Sequence, residues 1–150
     1  MEGLYVTASV DDSVENPVET PRTPYDRLGG SATIRAIANR FYDLMEADPA
    51  YAELRAMHAP DLAPMREGLA GFMIGWAGGP RDWFAQGKCM FSLHRPMPIT
   101  QTTAQQWVDA MRRAIGDVVV DDPQMVAAMS GVLEEMALGM VPVAPVTEGA

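Results

Sequence analysis

Cysteine, lysine and histidine are scarce in this chain of 150 residues, where Cys89 stands alone and only His58 and His94 carry imidazole. A lone cysteine forms no internal disulfide and builds no cysteine-rich zinc site. Basic residues number 11 against 20 acidic ones, for a formal charge of −9. Lys88 and the arginines are scattered, which argues against nucleic acid and against an anionic membrane surface, since both draw on clustered cations. No apolar run approaches the ~18 residues of a membrane span. The opening MEGLYVTASVDDSVEN has neither the basic nor the apolar region of a secretory signal, so a cytoplasmic location is expected. Strand signals are equally thin: Val118-Val119-Val120 is the one β-branched run. No phosphate loop, serine–histidine–acid set or paired-carboxylate motif stands out.

Helical periodicity is what the chain does have. Residues 1–22 show no sustained period and read as a disordered arm, and 141–150, with Pro142 and Pro145, as a flexible tail. The domain is expected over 23–140. After Gly29-Gly30, with Ser31 as a cap, Ile34, Ile37, Phe41, Leu44 and Met45 recur at helical spacing up to Asp48-Pro49. A second run sets Leu62, Met65, Leu69, Phe72, Met73 and Trp76 on one face, capped by Asp61 and stopped by Gly78-Gly79-Pro80. A third begins near Thr100–Thr103 and carries Trp107, Met111 and Ile115. The fourth has Asp122 as N-cap, Pro123 at its first position and Gly139 as its stop. Its stripe is Met125, Met129, Val132, Leu133 and Met136. Residues 81–93 are less regular, holding a short helix or loop. The fold class is all-α.

Chemistry is expected at few places. His94 ends the irregular segment, and Pro96 and Pro98 restrict the backbone just after it, which fixes the approach of the ring. Trp107 lies on a helix stripe, Tyr42 beside Phe41 on another, and His58 in the connection between two helices. Three polar tips in an apolar interior need partners: each other, backbone carbonyls or a ligand. The 12 methionines lie along helix faces, as core filler.

The runs YDRLGGSATIRAIANRFYDLM, GWAGGPRDW and LHRPMPIT, with Trp107 beyond the histidine, resemble a truncated haemoglobin of the second group over residues 24 to about 137. The resemblance implies a two-over-two helical sandwich around haem b. It makes His94 the proximal iron ligand and puts Tyr42, His58 and Trp107 on the distal side. Met65 and Leu69 would face the ligand, and Phe72 would pack on the macrocycle. Many relatives carry basic residues just before the proximal histidine, where this chain has Phe91, Ser92 and Leu93. Arg66, Lys88 and Arg95 are therefore the candidates for the haem propionates. Met97 stands where relatives often have Phe, a swap that keeps apolar volume.

From these residues the expected activity is binding of dioxygen or another diatomic gas. Tyr42 and Trp107 would donate to it, and His58 would either reinforce them or orient Tyr42. Strong donors slow oxygen release, which suits sensing, storage or chemistry better than transport. The alternatives are a redox enzyme in the same pocket (nitric oxide dioxygenation, with an unidentified reductase, or peroxidase-type turnover) and a haemless regulatory module.

Overall fold

The computed structural model describes residues 22–89, 93–94 and 97–141. The arm and tail expectations, and Arg95, thus lie outside the described residues, apart from Arg22 and Val141. Among the described residues every regular element is helical.

The chain enters through a helix too short to show a period, α1 (Pro24–Leu28). It exists because Thr23 accepts from the Asp26 N–H at 3.1 Å and Pro24 presets the first turn. Gly29, at φ 98°, ends it in a left-handed turn that favours glycine. Ser31, expected as a cap, is instead the first residue of α2 (Ser31–Ala47), and its hydroxyl pairs with that of Tyr25 at 2.9 Å. A 3-10 turn (Pro49–Tyr51) and α3 (Ala52–Ala56) follow, neither with a period to betray it.

The next helix, α4 (Ala63–Trp76), begins one residue later than its expected cap implies. Asp61 still accepts from the Ala63 N–H at 3.0 Å, but Leu62 holds the cap position. Its other end closes as the glycines require: the Gly79 N–H reaches the Ile74 carbonyl at 2.9 Å and the Gly78 N–H that of Gly75 at 3.1 Å. A one-turn α5 (Asp82–Ala85) lies against α4 because Gly71 and Gly75 leave room for Trp83 and Phe84. Two long helices complete the chain. Reciprocal Thr100–Thr103 bonds start α6 (Gln101–Val118), and Asp122, accepting from the Met125 N–H at 3.1 Å, starts α7 (Pro123–Gly139).

These helices form two layers, α2 on α4 and α6 on α7, with α2 packed across α6. Ile34, Ile37, Phe41, Met45, Met73, Met111 and Ile115 are almost wholly buried where the layers meet. Each such side chain contributes about 1.5–3 kcal/mol by leaving water. Truncating Phe41, central to the seam, would cost about 3–5 kcal/mol. Val132 departs from the expected stripe: it is exposed, while its neighbours Met129 and Leu133 carry the buried face of α7. Among the described residues no helix is long and apolar enough to cross a membrane.

Candidate functional site

One cavity of about 300 Å³ opens beside the seam of the two layers. Its walls are mostly apolar: Met65, Leu69 and Phe72 from α4, Ile99 and Ala104 around the start of α6, Leu133 and Met136 from α7. Spacing of three and four residues on α4 puts Met65, Leu69 and Phe72 on one face. Four groups with chemistry line this same space: Tyr42 of α2, His58 after α3, Trp107 of α6 and His94. The fold therefore brings together side chains up to 65 residues apart in sequence, from Tyr42 to Trp107.

Tyr42 is buried, its ring edge-on to Phe41 at 4.8 Å between centroids and edge-on to His58 at 5.9 Å. Burial pushes its phenol up to about 12, against a weaker opposing pull from the Arg66 charge. It is thus a neutral donor at any physiological pH. Trp107 packs its indole on Phe41 at 5.4 Å. Neither the Tyr42 hydroxyl nor the Trp107 N–H has a hydrogen-bond acceptor among the described residues. Two donors lining an apolar space with no protein acceptor are ready for a ligand.

His58 differs. Its Nδ1 lies 2.9 Å from the Leu54 carbonyl. Burial holds its pKa below the ordinary histidine value; the Leu54 bond opposes this, while the Arg55 and His94 charges add to the lowering. A neutral ring is the result.

His94 is half-buried and helical together with Leu93. Its carbonyl accepts from the Met97 N–H at 3.0 Å. The cationic candidates part company here. Lys88 lines the cavity, its ammonium 5.9 Å from the centre of the Trp83 ring. Arg66 is not in the lining: it donates to the Asn39 carbonyl at 3.0 Å and to Asp43 at 2.9 Å, with its guanidinium 5.9 Å from the Tyr42 ring centre. Arg95 lies outside the described residues. Leu54, Met57, Trp83 and Thr103 also line the cavity, and sequence reasoning missed them. The Trp83-Phe84 pair just past Gly-Gly-Pro was the available signal for one of them; Leu54 sits on a helix with no signal at all.

Comparison with known proteins bears on this arrangement. A family model described as bacterial-like globin matches residues 23–141. Among solved structures, the chain is similar to the cold-adapted truncated haemoglobin of the Antarctic marine bacterium Pseudoalteromonas haloplanktis TAC125. That match has 35% identity and a TM-score of 0.78, over 81% of this chain and 99% of that one. It is also similar to the group II 2-on-2 haemoglobin of Agrobacterium tumefaciens, at 28% identity and TM-score 0.77 over 81% and 95%. A third similar structure is the haemoglobin of Chloroflexus aurantiacus, at 29% identity and TM-score 0.72 over 82% and 100%. An all-helical two-layer fold, a family match over most of the chain and these likenesses converge: the chain belongs to the bacterial-like globin family, with the fold of the truncated haemoglobins.

Proposed function

We propose that residues 23–140 form a haem-binding unit whose cavity takes haem b, with His94 as the axial ligand to iron and dioxygen or another diatomic gas as the bound ligand. Membership of a globin family implies haem binding in general. The observation that carries the reading for this chain is the convergence on one apolar cavity of His94 and two donors, Tyr42 and Trp107, without a protein acceptor among the described residues.

The lining fits such a group. A macrocycle is flat and apolar, and Met65, Leu69 and Phe72 offer it one continuous face of α4. Its two propionates require cations or donors, and Lys88 is the cation in the described lining. We assign Arg95 as the second anchor from its place beside His94. Arg66 serves a different end: held by Asn39 and Asp43, it braces α4 against α2 behind Tyr42.

When bound, a histidine-ligated ferrous haem supplies a metal that takes up small diatomic ligands, and the surrounding side chains decide their fate. In this chain those side chains are two donors, Tyr42 and Trp107, in a space with mostly apolar walls. Hydrogen bonds to a partly charged acceptor contribute about 1.5–3 kcal/mol each. Tyr42 and Trp107 therefore favour ligands that gather negative charge, dioxygen above carbon monoxide, and oppose rapid release.

Absorption spectra of the purified chain in its ferric, ferrous and carbonyl forms test the reading. A Soret band that shifts on reduction and again with carbon monoxide is the expected result. A chain that takes up no haem from solution would make His94, Tyr42 and Trp107 structural residues of a haem-free module.

A further inference from the structure

Behind the cavity, the side chain of Gln106 hydrogen-bonds α6 to α3. Gln106, the neighbour of Trp107, accepts from the Leu54 backbone N–H at 3.0 Å through Oε1 and donates to Glu53 at 3.0 Å through Nε2. The Leu54 N–H lies in the first turn of α3, where no intrahelical acceptor exists. Gln106 thus caps a five-residue helix from outside it. The carbonyl of the same Leu54 is the atom that His58 Nδ1 meets, at 2.9 Å. Arg55 adds a brace by donating to the carbonyls of Ala59 and Pro60, both at 3.0 Å.

A carbonyl oxygen only accepts, so Nδ1 must carry the hydrogen in that bond. In the neutral ring, Nε2 then has a lone pair and no hydrogen. This separates the two roles open to His58 on the sequence. A bare Nε2 cannot donate to a ligand, but it can accept from the Tyr42 hydroxyl, whose ring stands edge-on to the imidazole.

We propose that Gln106 is a positioning residue, holding Leu54 so that its carbonyl fixes His58 as the Nδ1–H tautomer and makes it the acceptor in the Tyr42–His58–Trp107 group. The tautomer stands on the hydrogen bonds alone; its consequence for gas binding rests on the haem reading above. Under that reading His58 supports Tyr42 only as an acceptor its hydroxyl can turn to, the two not being hydrogen-bonded in the structure, and donation to the gas falls to Tyr42 and Trp107.

Only two histidines contribute ring signals in this chain, which makes the test direct. The full chain, labelled with nitrogen-15 in its histidine rings, is measured by long-range proton–nitrogen correlation. Two samples are used, the apoprotein and the diamagnetic ferrous carbonyl form, and His58→Ala assigns the signals. In the wild type the His58 pattern should be that of protonated Nδ1 and bare Nε2. Gln106→Ala should populate the second tautomer or average the two. Gln106→Glu combined with Glu53→Gln, which keeps an acceptor for the Leu54 N–H and reverses the donor across the Gln106–Glu53 pair, should restore the wild-type pattern. Glu53→Ala, which leaves the Leu54 arm intact, should change nothing.

A wild-type ring protonated on Nε2 overturns the proposal whatever the variants do. An unchanged pattern in folded Gln106→Ala overturns the part played by Gln106. If Gln106→Ala fails to fold, the wild type, the paired Gln106→Glu/Glu53→Gln variant and Glu53→Ala still decide: loss of the pattern in Glu53→Ala, or its absence from the paired variant, contradicts the assignment. A chain that took up no haem would sink the gas-binding reading and leave the tautomer result standing.

Discussion

Tyr42 and Trp107 are both donors on one cavity, yet they are set up differently. Trp107 packs on Phe41, while Tyr42 has an acceptor-capable imidazole edge-on beside it. If both donate to bound gas, Trp107→Phe removes one N–H and keeps an aromatic volume. Oxygen release should then accelerate roughly tenfold to hundredfold, the range of one lost hydrogen bond to charge. Carbon monoxide gathers less negative charge, and its release should barely change. Stopped-flow dissociation of the two gases makes the comparison. Equal acceleration of both would assign Trp107 to steric gating, and no change in either would leave it as packing.

The phenol gives a second prediction at the same scale. Burial raises the Tyr42 pKa from 10.0 to about 12 in the folded chain. The folded state therefore holds its proton more tightly than the unfolded one. The stability this represents is full below pH 10 and is lost as pH rises towards about 12. Two units correspond to roughly 2–3 kcal/mol. In thermal melts the wild type should lose stability relative to Tyr42→Phe across that window, since the variant has no phenol to ionise. Parallel alkaline limbs would mean that the phenol is not so deeply desolvated.

At this scale the helix stripes, the prolines after His94 and the family resemblance nominate His94, Tyr42 and Trp107, and the structure brings all three to one cavity. Leu54 and Gln106 were not legible in the sequence, since one acts through its backbone and the other through that backbone's N–H.

Glycines decide how the elements meet. A Cβ on Gly75 would come within 2.7 Å of the Phe84 ring. That ring cannot easily yield, with Trp83 at 5.0 Å, Phe72 at 5.7 Å and the Arg81 guanidinium at 4.3 Å. Gly75→Ala gains about 1 kcal/mol of helix propensity but meets an overpacking cost of about 1–3 kcal/mol. The melting temperature should fall by several degrees, and Trp83 should shift at the cavity wall. Gly131→Ala on α7 meets nothing within 4 Å and should raise it instead. Calorimetry on the two variants reads the signs, and a rise in Gly75→Ala would show that α5 is loosely docked.

The long helices were legible through their stripes and caps: Asp122-Pro123 and the Thr100–Thr103 pair fall where the sequence puts them. The short elements were not. α1, α3 and the 3-10 turn owe their existence to Thr23, Asp48, Gln106 and the surfaces they meet, and five residues hold too little period to read. Val132 shows the limit of a stripe drawn from hydrophobicity alone.

At the scale of the whole molecule, the chain combines a net charge of −9 with an apolar cavity whose described lining holds one lysine. Around it, ion pairs such as Arg35–Glu67, Arg40–Asp117 and Arg112–Glu134 tie the helices at their exposed faces. Exposed pairs of this kind contribute at most about 1 kcal/mol each, so the two-layer core, and not the surface charge, sets the stability. The proposed haem reading has one consequence that everything else depends on: a single imidazole, His94, would hold the iron. Haem titrated into His94→Ala, followed by absorption with and without added imidazole, measures that most directly. The variant should lose stable haem retention and recover a wild-type-like ferrous spectrum only when imidazole is supplied. A His94→Ala chain that keeps the wild-type ferrous spectrum without imidazole would contradict the account and turn attention to His58.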